Sequence, residues 1–94
     1  MSKNILITHK VPDITVSMLQ DRGYIVDVNI ADKILSEEEL KNLLNQKAYD
    51  GVVTLLTDKI TDLVMSAAPS LKIISNFASG YDNIDIVEAK NRNI

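Results

Sequence analysis

Short apolar runs alternate along the chain with stretches of helical spacing. Four runs predict strands, at residues 5–8, 24–28, 52–55 and 71–75. Between them, apolar residues three and four positions apart predict helices with these inner faces: Ile14, Met18 and Leu19; Leu40, Leu43 and Leu44; Leu63, Val64 and Ala67. Asp13 is expected to cap the first helix, Gly23 to end it in a left-handed conformation, and Pro69 to end the third.

Two pairs of polar residues mark further helix starts. Ser36 and Glu39 stand at the spacing of a capping box, in which each side chain accepts a hydrogen bond from the other residue's backbone N–H. Asp85 and Glu88 have the same spacing and predict a helix that continues to about residue 92. Asn93 is expected to take the left-handed position after this helix.

The alternation of strands and helices predicts an α/β fold in which a parallel sheet lies between two helical layers. We expect a flavodoxin-like three-layer fold with strand order about 2-1-3-4 and a truncated fifth strand that begins at Ile94. In such sheets, ligands bind beyond the carboxyl ends of the strands. The residues expected at this edge are His9 and Lys10, Leu56 and Thr57, and Ala78, Ser79 and Gly80.

Length and composition narrow the class of protein. The chain has 94 residues, enough for a single domain at 1–94, and 46% of them are apolar. No segment has the roughly 20 uninterrupted apolar residues of a membrane helix, and the first apolar run is too short for a secretory signal, so we expect a cytoplasmic protein. The absence of cysteine excludes disulfides and thiolate metal sites. A net charge of −3 argues against a nucleic-acid partner.

The small residues after the fourth strand are the strongest candidate for a binding site. Ala78, Ser79 and Gly80 leave main-chain N–H groups accessible to an anion such as a carboxylate, although an ordinary strand-to-helix turn explains the same sequence. Leu56, after the third strand, either packs in the core or forms an apolar wall of the site. No glycine-rich phosphate-binding sequence occurs, so no cofactor-binding residue is predicted on this chain.

Three titratable residues are candidates for acid–base chemistry. His9 is the only side chain whose ordinary pKa lies near neutrality. No carboxylate stands at a defined spacing from it, so we interpret it as a solvated loop residue, with catalysis as the alternative. Asp82 and Asp85 could form a carboxylate pair for catalysis or metal binding. Because capping by Asp85 explains them without a ligand, we predict no catalytic or metal-binding residue.

Three segments together resemble a known enzyme family. They are residues 8–12 (THKVP), 50–58 (DGVVTLLTD) and, most specifically, 76–85 (NFASGYDNID). These segments are similar to the D-isomer-specific 2-hydroxyacid dehydrogenases, and within them to the glyoxylate/hydroxypyruvate reductase branch. The likeness runs nearly from end to end. Asn93 departs from the glycine usual in the family, a mild change because asparagine also adopts the left-handed conformation.

The resemblance implies a two-domain oxidoreductase that reduces small 2-keto acids, such as glyoxylate or hydroxypyruvate, by hydride transfer from NADH or NADPH. This chain resembles only the N-terminal segment of the substrate-binding domain, without the family's Rossmann domain and its catalytic arginine, glutamate and histidine. By position, Ser79 and Gly80 would offer backbone N–H groups to the substrate carboxylate, and Leu56 would line the pocket. His9 is not the family's catalytic histidine. We therefore expect no cofactor bound to this chain and no turnover by it alone.

The alternative interpretation is a free-standing flavodoxin-like module that binds a small molecule or self-associates. A phospho-receiver needs an acidic cluster after the first strand and an aspartate at the end of the third, whereas here residues 8–10 read THK and residues 54–56 read TLL. Flavin binding is disfavoured because the first loop lacks the small hydroxyl residues that hold a phosphate. An exposed sheet edge and apolar surface would favour homo-oligomers.

Overall fold

The fold is a four-stranded parallel sheet whose strands alternate with helices. The computed structural model describes residues 3–31, 33–77 and 80–94. Within them the elements are β1 (Asn4–Ile7), α1 (Asp13–Asp21), β2 (Ile25–Val28), α2 (Glu37–Leu44), β3 (Gly51–Leu55), α3 (Asp62–Ser66), β4 (Ile73–Phe77) and α4 (Ile86–Asn91). The sheet order is β2-β1-β3-β4, and every pair is parallel. The predicted flavodoxin-like order is therefore confirmed. In the described ranges, no helix has the length and apolar character needed to cross a membrane.

One face of the sheet carries the main hydrophobic core. Leu6 of β1 and Val52 of β3 belong to a cluster of buried residues that α2, α3 and α4 complete. The helical members of the cluster are Leu40, Leu44, Val64, Met65 and Ala89. Fully burying a Leu, Val or Met side chain stabilises a fold by about 1.5–3 kcal/mol. This shared core holds three helices against the sheet and so fixes the loops that connect them to the strands.

The opposite face of the sheet is closely packed at one point. Side chains alternate between the two faces of a strand, so Ile5 and Ile73 lie on the face opposite to Leu6. Between them is Gly51, where an added Cβ would come within 2.9 Å of Ile5 Cδ1 and 3.0 Å of Ile73 Cγ2. With Leu19 of α1, these residues line a shallow groove of about 330 Å³. Glycine at position 51 therefore lets two isoleucines close over the start of β3.

Helix α1 covers less of the sheet than the sequence predicts. It packs against β2 and contributes no fully buried residue. Ile14 and Met18, predicted to face the core, are 67% and 61% exposed, and only Leu19 of that predicted face is partly buried. The prediction was wrong at the first two positions, because α1 lies near an edge of the sheet and no other described element covers its apolar stripe.

The helix ends follow the predicted capping chemistry in α2. Ser36 N–H donates to Glu39 Oε1 at 3.0 Å, and Glu39 N–H donates to Ser36 Oγ at 3.2 Å. The hydrogen bond from the Lys33 ammonium, helped by the Ser36 N–H, lowers the pKa of Glu39 from 4.5 to about 2. Gly23 (φ +88°) and Asn93 (φ +61°) both adopt the predicted left-handed conformation. The local stop and start signals of the sequence are therefore confirmed at these positions.

Two other caps differ from the prediction. Asp13 is the first residue of α1, and Pro12 occupies the capping position without a side-chain hydrogen bond. Asp85 caps α4 as predicted, because its Oδ1 accepts from Glu88 N–H at 3.1 Å. The reciprocal bond is missing, since the Glu88 carboxylate accepts from Arg92 Nε. Asp85 N–H donates instead to Ile60 O at 2.9 Å, so α4 begins with a single cap that is also tied to the loop after β3.

The final strand and the chain end are shifted from their predicted positions. β4 begins at Ile73, two residues later than predicted, because Leu71 is buried in a turn in which its N–H donates to Ala68 O. The strand continues to Phe77, which brings it up to the candidate site. Ile94, expected to begin a fifth strand, instead donates its N–H to Ala89 O at 2.9 Å and packs against the core.

Candidate functional site

The carboxyl ends of β1, β3 and β4 lie at one edge of the sheet. Ile7 pairs with Val53, and Leu55 pairs with Phe77, so the loops that follow these three strands are neighbours. We call their facing residues the carboxyl rim: His9, Leu56, Asp58, Gly80 and Asn83. The loops after β3 and β4 are joined further by a parallel bridge between Ile60 and Ile84. The rim is therefore a connected surface built from segments far apart in sequence.

Leu56 lies on the rim and outside the core. Its side chain is 56% exposed, and it lines a shallow groove of about 400 Å³ together with Lys59, Asp82 and Ile84. Of the two interpretations of this leucine, core packing is wrong, because the buried apolar cluster does not include it. A mainly apolar groove with a few charged side chains at its border is consistent with a pocket for a small molecule, and contact with substrate stays a prediction.

Gly80 is exposed on the rim, and a side chain anchors its carbonyl. Asn76 Nδ2 donates to Gly80 O at 2.7 Å. A Cβ at Gly80 would meet no atom within 4 Å, so internal packing among the described residues does not require glycine there. Ala78 and Ser79 lie outside the described residues, and the predicted use of the Ser79 and Gly80 N–H groups stays a prediction.

Two asparagine side chains join the loops that carry Leu56 and Gly80. Asn76 Nδ2 donates to Asn83 Oδ1 at 2.9 Å, and Asn83 Nδ2 donates back to Asn76 Oδ1 at 3.2 Å. We call this reciprocal pair the amide pair. Asn83 Nδ2 also lies within hydrogen-bonding distance of the carbonyls of Leu55 at 3.1 Å and Asp58 at 2.8 Å, so its two hydrogens are shared among three acceptors. Thr54 Oγ1 donates to Asn76 Oδ1 at 2.8 Å. The amide pair therefore ties the end of β3 to the loop after β4.

A buried carboxylate ties the end of β1 to the loop after β3. Asp58 is fully buried, and its Oδ2 accepts from Thr8 Oγ1 at 2.5 Å and from Leu55 N–H at 2.9 Å. Its Oδ1 lies 3.0 Å from His9 Nε2. A buried carboxylate is costly unless several donors satisfy it, and here donors from two loops do so. The interpretation of His9 as a solvated loop residue is wrong, because its side chain is only 12% exposed and is bound to Asp58.

The role of Asp58 was missed at the level of sequence although a signal for it exists. It is separated from His9 by 49 positions, so no spacing rule along the chain connects the two. The predicted strand order, however, makes β1 and β3 neighbours, and both residues come shortly after the ends of these strands. An acidic side chain on one such loop and an imidazole on the next are therefore expected to meet.

The described residues of the rim present groups suited to binding and positioning a ligand. In the described residues, the hydrogen bonds of His9 include none to a hydroxyl nucleophile, so its contact with Asp58 ties two loops together. Asp85 is committed to capping α4, and across residues 3–31, 33–77 and 80–94 no three His, Asp or Glu side chains cluster closely enough to hold a metal ion. Exposed backbone at Gly80 and an apolar wall at Leu56 suit recognition of a small anion.

Comparisons with known proteins give a consistent result. Residues 5–94 match the family model described as D-isomer specific 2-hydroxyacid dehydrogenase, catalytic domain. A glyoxylate reductase of Pyrococcus horikoshii is 39% identical over 94 residues, which is the whole of this chain and 27% of that relative. The chain thus spans about a quarter of the length of the curated relatives it matches.

Solved structures show the same fold. A protein from Pyrococcus horikoshii superposes with a TM-score of 0.85 at 33% identity, covering 100% of this chain and 26% of that one. A 3-phosphoglycerate dehydrogenase from Entamoeba histolytica, solved with bound NAD+, superposes with a TM-score of 0.82 at 26% identity over 100% of this chain and 32% of its own. Both similarities extend over the complete length of the present chain.

Proposed function

The chain belongs to the D-isomer specific 2-hydroxyacid dehydrogenases, whose catalytic-domain model matches residues 5–94, and on that premise we propose that it is the N-terminal segment of a substrate-binding domain. The whole enzyme would be an NAD(P)-dependent oxidoreductase that reduces small 2-keto acids of the glyoxylate or hydroxypyruvate kind. The observation that carries this proposal is the rim itself. Gly80 and Leu56 are exposed on loops that the amide pair holds together.

Ser79, Gly80 and Leu56 have distinct parts in the proposed binding mode. The backbone N–H groups of Ser79 and Gly80 donate to the substrate carboxylate, in the manner of a backbone anion site. Leu56 covers the small carbon skeleton and reduces water access on that side. Bound NADH or NADPH would supply the hydride in the whole enzyme, and the sequence carries no glycine-rich fingerprint for either nucleotide. A cytoplasmic location belongs to the same proposal.

The proposed function predicts carboxylate binding without turnover. With the isolated chain, glyoxylate should shift the backbone amide resonances of Ser79 and Gly80 and the methyl resonances of Leu56 in a two-dimensional NMR titration. The same preparation should oxidise neither NADH nor NADPH when glyoxylate is added, because the hydride donor has no binding sequence here.

Chloride at equal ionic strength is the control for this titration, because a general salt effect would move charged surface residues instead of the rim. A titration in which the Gly80 amide and Leu56 methyl groups stay unchanged would contradict the proposed carboxylate site. Steady oxidation of NADH or NADPH by the purified chain would contradict the proposal that this segment binds substrate but cannot carry out hydride transfer without the rest of the enzyme.

Self-association is the second candidate function, and the edge strand β4 favours it. Ile73 and Phe77 on this strand are 59% and 57% exposed, and a groove of about 630 Å³ runs between β4 and α4. Unpaired strand edges and apolar patches promote association. Sedimentation velocity should therefore show an average mass that rises with protein concentration. Ile73→Lys should lower this average mass, whereas Lys72→Ala, at the residue just before β4, should leave it unchanged. A concentration-independent monomer would contradict this candidate.

A further inference from the structure

Binding of a ligand by the Gly80 N–H requires an interaction that restrains the backbone of this loop. Glycine has the largest conformational freedom of any residue, and a peptide group that must donate to a ligand loses affinity if it samples many orientations. Gly80 is exposed, and among residues 3–31, 33–77 and 80–94 a Cβ placed there would meet no atom within 4 Å. The described contact that restrains this residue is a hydrogen bond to its backbone carbonyl.

That hydrogen bond comes from Asn76. Its Nδ2 donates to Gly80 O at 2.7 Å and to Asn83 Oδ1 at 2.9 Å, which uses both hydrogens of the amide group. Its Oδ1 accepts from Thr54 Oγ1 at 2.8 Å and from Asn83 Nδ2 at 3.2 Å. With donors and acceptors on both ends of the amide occupied, the side chain of Asn76 is held in one orientation.

Asn83 extends this constraint to the loop that carries Leu56. Its Nδ2 donates to Leu55 O at 3.1 Å and to Asp58 O at 2.8 Å, on either side of Leu56. One connected set of hydrogen bonds therefore runs from the carbonyls that flank Leu56 to the carbonyl of Gly80.

We propose that Asn76 is a positioning residue. Through the amide pair it holds Gly80 O, the carbonyl of the peptide group that follows Gly80, and so restricts the backbone of the residue whose N–H would donate to a substrate carboxylate, at a fixed distance from Leu56. This inference rests on the proposed function and deepens it, because it assigns the geometry of the site to a side chain that does not contact substrate. Asparagine suits position 76 because its amide both donates to Gly80 O and accepts from Thr54 Oγ1, whereas neither an ionised aspartate nor a leucine of similar size can do both.

The test compares glyoxylate binding by variants of the chain in NMR titrations. Asn76→Asp keeps the shape and the acceptor for Thr54 but removes the donor to Gly80 O, and Asn76→Leu removes the donor without adding charge. Both should weaken glyoxylate binding by about tenfold. This is the loss expected when the Gly80 N–H no longer donates well to the charged carboxylate of the ligand. The Gly80 amide resonance should also move in the unliganded variants. Weakening by the charged variant alone would mean repulsion of the anion and would overturn the proposal.

Asn29→Asp is the matched control. Asn29 also donates its side-chain N–H to a main-chain carbonyl, that of Thr8 at 3.1 Å, but it follows β2 at the opposite side of the sheet from β4. The same isosteric change there should leave glyoxylate affinity within about twofold. Equal weakening by Asn29→Asp and Asn76→Asp, with thermal stabilities that fall in parallel, would assign Asn76 a purely structural role.

A measurement on the unchanged chain covers the case of variants that do not fold. The side-chain amide hydrogens of Asn76 should exchange with solvent more slowly than those of Asn29, and their resonances should shift when glyoxylate is added. Fast exchange and no shift would overturn the positioning role. A chain that binds no glyoxylate would overturn both this inference and the proposed function, whereas normal binding by the Asn76 variants would overturn this inference alone.

Discussion

Replacing Asp58 by alanine is expected to lower the free energy of unfolding by about 3 kcal/mol, the cost of removing a buried carboxyl group that several hydrogen-bonding neighbours share. Thr8 Oγ1, Leu55 N–H and His9 Nε2 would lose their shared acceptor, and Thr8 is itself fully buried. Urea denaturation of the wild-type and Asp58→Ala chains measures this difference directly. A loss of this size is a large share of the roughly 5–14 kcal/mol expected for a domain of this length.

Asp82→Ala is the matched control for this prediction. Asp82 carries the same carboxylate on the neighbouring rim loop but is exposed, so its removal should change stability by no more than about 0.5 kcal/mol. Asp58→Asn adds a finer comparison, because it keeps the shape while turning an N–H2 donor towards other donors. Similar costs for Asp58→Ala and Asp82→Ala would show that the cluster contributes little to stability.

A connection between the two halves of the rim follows from the position of Asp58. Its carboxylate holds the loop after β1, while its backbone carbonyl accepts from Asn83. Asn83 in turn bonds with Asn76, which holds Gly80. A stability variant at Asp58 should therefore also broaden the Gly80 amide resonance, since the support of that loop passes through the same residue.

The sequence predicts those parts of the fold whose signals are local. The capping box at Ser36 and Glu39 lies within four positions, and its two hydrogen bonds form as the spacing requires. Gly23 carries its own conformational preference and adopts the left-handed region. Apolar runs locate the strands to within two residues because strands of a parallel sheet are rich in β-branched and other apolar residues, although β2 includes Asp27 and the last part of β4 is polar at Ser75 and Asn76.

The remaining features depend on which segments become neighbours in space. His9 and Asp58 are joined only by the adjacency of β1 and β3, and the amide pair depends on side-chain orientations that no spacing rule encodes. The 76–85 motif pointed to this loop by family likeness, yet the motif itself does not say that Asn76 holds Gly80. Ile14 and Met18 were assigned to the core because periodicity reports an apolar stripe and not what covers it.

Helix α3 is a second case in which the apolar pattern did not predict the buried face, and it allows a direct test. It has five residues, little more than one turn, so apolar spacing alone could not choose between inner faces. The sequence favoured Leu63, Val64 and Ala67, whereas the structure buries Val64, Met65 and Ala68 and leaves Leu63 50% exposed. The predicted and observed buried faces are therefore offset by about one residue, which corresponds to a rotation of the helix about its axis.

Met65→Ala is accordingly expected to lower the free energy of unfolding by about 3 kcal/mol, because it leaves a cavity in the core shared with α2 and α4. Leu63→Ala removes a side chain of similar size from the same helix, and should cost less than about 1 kcal/mol because half of that side chain is already in water. Alanine favours helix at both positions, so propensity does not separate the two variants. Denaturant midpoints of the pair decide the orientation of α3, and a larger loss for Leu63→Ala would restore the inner face that the sequence pattern favoured.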